Sequence, residues 1–126
     1  MTVVLDASAL LAFLQDEPGG ETVEEALSES SISAVNWAEV IQKADAHGVP
    51  VQGMREELVS LGLVIEPFDA AQGESVGLLW RKTARYGLSL GDRACLALAL
   101  ERGRAALTAD TAWKRLRIGV DIRVIR

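Results

Sequence analysis

The sequence predicts an α/β fold in which helices cover both faces of a short parallel sheet. Three observations carry this prediction. Short apolar runs alternate with longer segments of helical periodicity, the runs are apolar throughout, and Gly, Pro or Ser separates most neighbours. A strand covered by helices on both sides has this continuous apolar pattern. The chain has 126 residues, a length that fits one core, so we expect a single domain over residues 1–126.

The five predicted strands are short apolar runs bounded by turn residues or by the start of a helical pattern. In chain order they are residues 3–5, 32–35, 63–65, 105–108 and 122–125. Asp6 directly follows the first strand, and Asp110 lies two residues after the fourth. Because sites of parallel sheets form at the carboxyl ends of strands, we expect both aspartates at one edge of the sheet.

The predicted helices are segments with apolar residues at helical spacing, most of them ended by Gly, Pro or Ser. In chain order they are residues 9–14, 21–29, 36–46, 51–61, 70–85, 91–102 and 111–116. The third carries one apolar stripe, formed by Trp37, Val40, Ile41 and Ala44. The sixth is apolar nearly all round, which predicts a central position in the molecule.

Composition and charge exclude several classes of protein. The single Cys95 excludes an internal disulfide, and one Cys with one His argues against a zinc site. No stretch approaches the roughly 18 apolar residues of a membrane span, and Met1 leads straight into the first strand, so we expect a cytoplasmic protein. The net charge of −5 argues mildly against nucleic acid. However, residues 64–126 hold 11 basic and 7 acidic residues, whereas residues 1–63 hold 2 and 11.

Four carboxylates can each be explained either as a helix cap or as part of a functional site. Asp6 and Asp110 follow strands and precede helices, so each fits a helix N-cap. Glu39 and Asp92 lie three residues after an Asn and a Ser, respectively, the spacing of a capping box. Taken singly, each acid is explained by capping. Taken jointly, the four acids predict a cluster at strand ends and helix starts.

Asp92 is the acid that capping explains least well. Helical spacing puts it on one face with Cys95 and Ala99, an apolar face that should be buried, where an unpaired charge costs several kcal/mol. Clustered carboxylates without His or Cys favour Mg²⁺ or Mn²⁺, and two such ions form the clamp used in phosphodiester hydrolysis. Ser8 and Thr108 are nearby hydroxyls that can orient a ligand, with local backbone bonding as the alternative.

The segments around these acids resemble the four motifs of PIN-domain nucleases. Residues 4–12 (VLDASALLA) resemble the first motif, residues 34–40 (AVNWAEV) the second, residues 88–99 (LSLGDRACLALA) the third and residues 107–113 (LTADTAW) the fourth. The matches follow the family's order over essentially the whole chain, and the similarity is greatest to compact bacterial VapC-type toxins. One departure is Gly91, where Ala is more usual.

The resemblance implies a Mg²⁺- or Mn²⁺-dependent endoribonuclease, the toxin of a VapBC-type pair, with Asp6, Glu39, Asp92 and Asp110 as catalytic residues. It implies that Asp6 and Asp92 are the firmest metal ligands and that Glu39 and Asp110 are secondary. It also implies a homodimer and a cognate VapB-type antitoxin, which typically blocks the site with a C-terminal segment bearing an Arg.

Basic side chains near the third and fourth motifs are candidate contacts to RNA. They are Arg81, Lys82, Arg85, Lys114, Arg115 and Arg117. Such residues hold phosphates without reading sequence, although a solvated polar face explains them equally well. Trp80 and Trp113 can stack bases, but Trp at helical spacing is more often part of a core. By family architecture, Phe13 and other apolar residues of the early helices are expected to form the antitoxin groove.

Other functions also fit acids at strand ends. A phosphoacceptor domain of receiver type surrounds Mg²⁺ with acids, but this chain has no adjacent acid pair after its first strand. A non-catalytic partner-binding module would use the acids only to capture an Arg-bearing partner. A haloacid-type phosphatase is disfavoured, because Asp6-x-Ser8 lacks the second Asp of that chemistry.

Overall fold

Five short strands lie parallel in one sheet in the computed structural model, which describes residues 2–126. The strands are β1 (Val3–Leu5), β2 (Ser30–Ser33), β3 (Val64–Glu66), β4 (Ala105–Thr108) and β5 (Ile122–Val124). The helices are α1 (Ala7–Leu14), α2 (Gly20–Ala26), α3 (Ala34–Ala46), α4 (Met54–Ser60), α5 (Ala70–Thr83) and α6 (Leu90–Arg102). Three 3₁₀ turns are Leu27–Glu29, Ala84–Tyr86 and Thr111–Arg115.

The strand order is β3-β2-β1-β4-β5, with β1 at the centre. Val4 of β1 pairs with Ser31 on one side and with Ala106 on the other. After the central β1, the chain adds β2 and β3 on one side of it and then β4 and β5 on the other side. Such a reversal opens a crevice at the carboxyl ends of the strands, the usual place for a site in an open parallel sheet.

Helices cover both faces of the sheet, as predicted. Val3 and Leu5 point into one core with α1, α2, α3 and α4, whereas Val4 points into a second core with α5 and α6. Trp113 is 1% exposed in that second core, so it is a packing residue and does not stack bases. Trp80 is 56% exposed. No helix within residues 2–126 combines the length and apolarity needed to cross a membrane.

The second strand differs from its prediction, which was residues 32–35. Ser30, Ser31 and Ser33 are buried in the sheet, and each hydroxyl has a hydrogen-bond partner: Ser31 Oγ accepts from the distant Arg104 at 3.0 Å, and the other two bond locally. Ser30 Oγ donates to the Ala26 carbonyl at 2.7 Å, and Ser33 Oγ accepts from the Val35 N–H at 3.2 Å. Ser33 therefore caps α3, which begins two residues earlier than its periodicity predicts.

The ends of other helices also differ from prediction. α4 starts at Met54 because Gly53 has a φ of 80°, a conformation that ends the preceding loop and does not continue into a helix. The predicted helix at residues 111–116 is the tighter 3₁₀ turn Thr111–Arg115. α1 begins at Ala7 instead of residue 9, because Asp6 caps it directly.

Candidate active site

The four predicted carboxylates line one cavity of about 160 Å³ at the carboxyl ends of β1 and β4. The lining residues of this acidic cavity are Asp6, Ala7, Ser8, Asn36, Glu39, Lys43, Asp92 and Asp110. Asp6 and Asp110 arrive from the strand ends, Glu39 from α3 and Asp92 from the first turn of α6. The fold therefore brings together acids that are far apart in the chain.

Asp6 is the most deeply buried acid of the cavity, with 5% of its surface exposed. Its Oδ1 accepts hydrogen bonds from Ser8 Oγ and from the Ala9 N–H, both at 2.8 Å, and its Oδ2 accepts one from Thr108 Oγ1. Asp6 thus caps α1. Because each carboxylate oxygen offers two lone pairs, Oδ2 retains one for a ligand.

Burial raises the pKa of Asp6 from its ordinary value of 3.8 to about 6. The hydrogen bonds from Thr108, Ala9 and Ser8 oppose this rise, and the charge of Asp92 adds to it. The desolvated carboxylate therefore gains from any positive charge that enters the cavity.

Ser8 and Thr108 do more than bond locally. Ser8 Oγ also accepts from the Ala109 N–H at 2.9 Å, and Thr108 Oγ1 accepts from the Asp110 N–H at 3.0 Å. Each hydroxyl donates its single proton to Asp6. The pair therefore orients the Asp6 carboxylate and ties the end of β4 to the start of α1.

The expectation of a buried charge at Asp92 is wrong. Asp92 is only half-buried, because the first turn of α6 opens onto the cavity, whereas Cys95 and Ala99 further along are fully buried. Its Oδ2 accepts from the Ser89 N–H at 3.0 Å, and its N–H donates to Ser89 Oγ at 3.1 Å. This is the predicted capping box, and it leaves Asp92 Oδ1 without a hydrogen bond from residues 2–126.

Glu39 does not form a capping box with Asn36, because Asn36 lies inside α3 and Ser33 is the cap. Instead Asn36 Nδ2 donates to Glu39 Oε1 and to the Gly91 carbonyl, both at 2.9 Å. A Cβ at Gly91 would lie 2.3 Å from Glu39 Oε1, so the glycine makes room for the carboxylate. α6 thus holds Glu39 in place through Asn36 and Gly91.

Two polar residues of the acidic cavity, Asn36 and Lys43, are not among the site residues that the sequence predicts. Asn36 was interpreted as a cap, but it is buried and its Oδ1 has no hydrogen-bond partner within residues 2–126. Lys43 lies one turn beyond Glu39 on α3 and brings a positive charge to the cavity. The spacing of Glu39 and Lys43, four residues apart on one helix, is the sequence signal that was available.

Asp110 is the exposed member of the group. Its Oδ1 accepts from the Ala112 N–H at 2.9 Å and caps the 3₁₀ turn Thr111–Arg115, as the structural explanation predicts. Its Oδ2 takes no hydrogen bond from the described chain. Every one of the four acids therefore combines a local structural bond with a carboxylate lone pair that can bind a ligand.

The donors of the acidic cavity fit a hard divalent cation. They are all oxygens, and the buried Asn36 Oδ1 adds an unpaired carbonyl oxygen to the carboxylates. Across residues 2–126, no three Asp, Glu, His or Cys side chains converge closely enough to hold an ion as they stand. Carboxylates repel one another, so a cation that binds here has to draw them together.

The other predicted contacts lie outside the acidic cavity. Arg81, Lys82 and Arg85 line a separate cavity, and Lys114 and Arg115 are exposed without lining it. Phe13 lines an apolar cavity of about 660 Å³ between α1 and α4. The other residues of this apolar cavity are Leu14, Val49, Pro50, Gln52, Met54, Glu57, Leu58, Ser60 and Leu61.

Comparisons with known proteins agree on one family. A family model described as PIN domain matches residues 3–119. A curated protein of Mycolicibacterium smegmatis, named Ribonuclease VapC, is 30% identical over an alignment of 123 residues. The match covers 89% of this chain and 94% of that protein.

Solved structures share the fold at low identity. A toxin-antitoxin complex from Klebsiella pneumoniae superposes with a TM-score of 0.77 at 19% identity, covering 99% of this chain and 98% of that one. A DNA-bound VapBC from Salmonella typhimurium gives a TM-score of 0.73 at 20% identity, covering 100% and 99% of the two chains.

Proposed function

Because the chain belongs to the PIN-domain family, we propose that it is the ribonuclease toxin of a VapBC-type pair and hydrolyses RNA phosphodiester bonds with Mg²⁺ or Mn²⁺. The observation that carries this proposal is the meeting of Asp6, Glu39, Asp92 and Asp110 in one cavity. The curated relative named Ribonuclease VapC supports the assignment.

In this proposal, Asp6 and Asp92 hold the cation most firmly, with Glu39 and Asp110 as secondary ligands. A divalent cation held by these residues would supply an activated water for attack and would neutralise charge on the phosphate. Ser8 and Thr108 fix the orientation of Asp6 through their hydrogen bonds.

Two further side chains assist the acids in this mechanism. Asn36 fixes Glu39 by a hydrogen bond to its Oε1. Lys43 offers a positive charge to a phosphate oxygen from the edge of the cavity, where charge develops as the bond breaks.

The proposed partner is a VapB-type antitoxin that docks in the apolar cavity between α1 and α4. The side chains of Phe13, Val49 and Met54 give that cavity the apolar lining that suits an amphipathic segment. We also propose a homodimer, which sedimentation of the purified chain tests directly. The proposed place of action is the cytoplasm, and residues 1–126 act as one PIN-like ribonuclease domain.

The test is cleavage of a total RNA pool in the presence of Mg²⁺ or Mn²⁺. Asp92→Asn keeps the shape of the side chain but removes a charge, so we expect cleavage to fall by about 100-fold or more, beyond the loss seen when only an outer partner of a metal site is removed. Asp121→Asn is the matched control, because Asp121 is an exposed aspartate outside the cavity. Induced expression of the wild type should arrest growth, and expression of Asp92→Asn should not.

A wild type that cuts no RNA with either ion, or an Asp92→Asn variant that cuts equally well, contradicts the proposal. A chain that binds its antitoxin without cutting RNA would instead be the non-catalytic partner-binding module. The receiver-type alternative is disfavoured by the strand order β3-β2-β1-β4-β5, because receiver domains have the order 2-1-3-4-5.

A further inference from the structure

A basic cavity of about 440 Å³, distinct from the acidic and the apolar cavity, is lined by Arg81, Lys82, Ala84, Arg85 and Arg117. Four of these five residues are cationic, and no acidic residue lines this basic cavity. None of the four forms an ion pair among the residues that the structure describes. Uncompensated like charges repel, so their convergence favours an anionic ligand.

Helix stability accounts for only part of this arrangement. Arg81 and Lys82 lie in the last turn of α5, where cations interact favourably with the helix dipole. Arg117 comes from a different segment, beyond the 3₁₀ turn that follows β4. The fold therefore adds a distant guanidinium to a helix end that is already basic, which the helix dipole does not require.

Two of the arginines are held in place before any ligand binds. Arg85 Nη2 donates to Tyr86 Oη at 2.9 Å, and the guanidinium carbon lies 4.9 Å from the centroid of the Tyr86 ring. Arg117 Nη1 donates to the carbonyls of Lys114 and Leu116, both at 3.0 Å. A guanidinium fixed in this way loses less freedom on binding and keeps other N–H donors for an anion.

We propose that the basic cavity is a phosphate-binding subsite for the backbone of single-stranded RNA, separate from the acidic cavity that would cut it. The inference rests on the proposed ribonuclease function. The two segments that form the subsite also lead to the acids, since Arg85 shortly precedes Asp92 and Arg117 shortly follows Asp110 in the chain. Planar guanidinium groups match phosphate oxygens in pairs, and such contacts fix the path of the strand without reading its bases.

The test is the salt dependence of RNA binding. A labelled single-stranded oligouridylate is titrated with the full chain in EDTA, which prevents metal-dependent cleavage, at several salt concentrations. Arg85→Gln/Arg117→Gln should lower the slope of log K against log salt by about 1.4, because each phosphate contact with a single strand contributes about 0.7. Arg81→Gln/Lys82→Gln is a second variant that removes no hydrogen bond within residues 2–126, so it tests the subsite if the first variant fails to fold.

Arg55→Gln/Arg126→Gln is the matched control, with the same change in charge at two exposed arginines that line neither the basic nor the acidic cavity. If this control lowers the slope as much as the cavity variants do, RNA binding depends only on the overall charge of the protein, and the subsite is refuted. The proposal also fails if inorganic pyrophosphate binds in a way that depends on the cavity while the RNA slope is unchanged, because the ligand is then a free anion.

Cleavage assays separate this inference from the proposed function. We expect Arg85→Gln/Arg117→Gln to raise KM for RNA with little change in kcat. This pattern results when a lost contact had bound the substrate and the transition state equally well. If RNA binding depends on the cavity but no RNA is cut, the ribonuclease proposal fails and the subsite stands. If Asp92-dependent cleavage occurs while KM and the salt slope are the same in all variants, only the subsite fails.

Discussion

Asp6 is buried and accepts hydrogen bonds from Ser8, Ala9 and Thr108, and one lone pair of its carboxylate remains for a ligand. At the scale of single residues, capping and ligand binding are therefore compatible explanations of the same side chain. The sequence predicts the position of Asp6 from the strand before it. It does not predict the burial, because Thr108 lies more than a hundred residues away.

The raised pKa of Asp6 predicts how the metal-free protein responds to pH. Below pH 3.8, Asp6 is protonated in both the folded and the unfolded chain. Between pH 3.8 and about 6 it is protonated only in the folded chain, and above that range it is ionised in both. The stabilisation is therefore present at low pH and is lost as the pH rises through about 6. Between pH 7 and pH 5 we expect a gain of about 1 kcal/mol in the free energy of unfolding, measured by urea denaturation in EDTA.

Asp6→Asn is the control for this pH dependence, because the amide binds no proton in the same range. A variant with the same pH dependence as the wild type would show that the effect arises elsewhere. Adding Mn²⁺ should reverse the sign and stabilise the protein more at pH 7 than at pH 5, because protons and metal compete for the carboxylate.

Asn36 predicts a second effect at the residue scale. Asn36→Ala removes the hydrogen bonds to Glu39 and Gly91, so we expect a loss of about 1–3 kcal/mol in stability and a larger relative loss in RNA cleavage. Ser33→Ala is the control, because it removes the cap of the same helix at a cost of about 1 kcal/mol without touching Glu39. Equal activity losses in the two variants would assign Asn36 a purely structural role.

Residue-level reasoning found the four acids because strand ends and helix starts can be located in the sequence. It missed Asn36 and Lys43. The role of Asn36 arises from its bond to Gly91 on another helix, and the role of Lys43 from the cavity that the fold closes around it. The contact of Asn36 with Gly91 leaves no local pattern in the chain, whereas the four-residue spacing of Glu39 and Lys43 on one helix is a signal that the sequence does offer.

At the scale of elements, the start of α6 combines a helix cap with a carboxylate that faces the acidic cavity. Ser89 and Asp92 cap the helix reciprocally, while Asp92 still faces the acidic cavity. Strand β2 shows the opposite case for prediction. Its serines look like a break in the sequence, but they are buried with their hydroxyls hydrogen-bonded to Ala26, to Arg104 and to the start of α3.

Ser89→Ala separates the two roles of the α6 start. It removes the hydroxyl that accepts the Asp92 N–H, so we expect a loss of about 1 kcal/mol in stability. RNA cleavage should stay within several-fold of the wild type, because the Asp92 carboxylate is retained. Thermal unfolding and cleavage of total RNA are the measurements, and a Ser89→Ala variant as inactive as Asp92→Asn would mean that the cap and not the charge is essential.

At the scale of the whole molecule, the parallel sheet with helices on both faces follows from the apolar runs and their alternation with helices. The strand order does not, because short apolar runs carry no information about which neighbour they pair with. The difference in charge between residues 1–63 and 64–126 predicts the composition of only one of the two charged cavities. All four cations of the basic cavity come from residues 64–126, but the acidic cavity takes Asp6 and Glu39 from one half and Asp92 and Asp110 from the other.

The apolar cavity between α1 and α4 predicts how the partner binds. Leu61 lines this cavity and is 54% exposed, so Leu61→Asp should fold normally and weaken binding of the cognate antitoxin by about tenfold or more. Leu78→Asp is the matched control, since Leu78 is 57% exposed on α5 and does not line the cavity. Calorimetric titration with the antitoxin measures both, and equal affinities would place the partner elsewhere.

The hydrogen bond from Thr108 to Asp6 also determines when the acidic cavity can exist during protein synthesis. A ribosome adds Asp6 well before Thr108, the residue that closes over it, which follows 102 positions later. Asp110 follows later still. A nascent chain, or a fragment left by premature termination before β4, therefore lacks the assembled cavity, and the proposed nuclease becomes competent only after β4 and Asp110 have been synthesised.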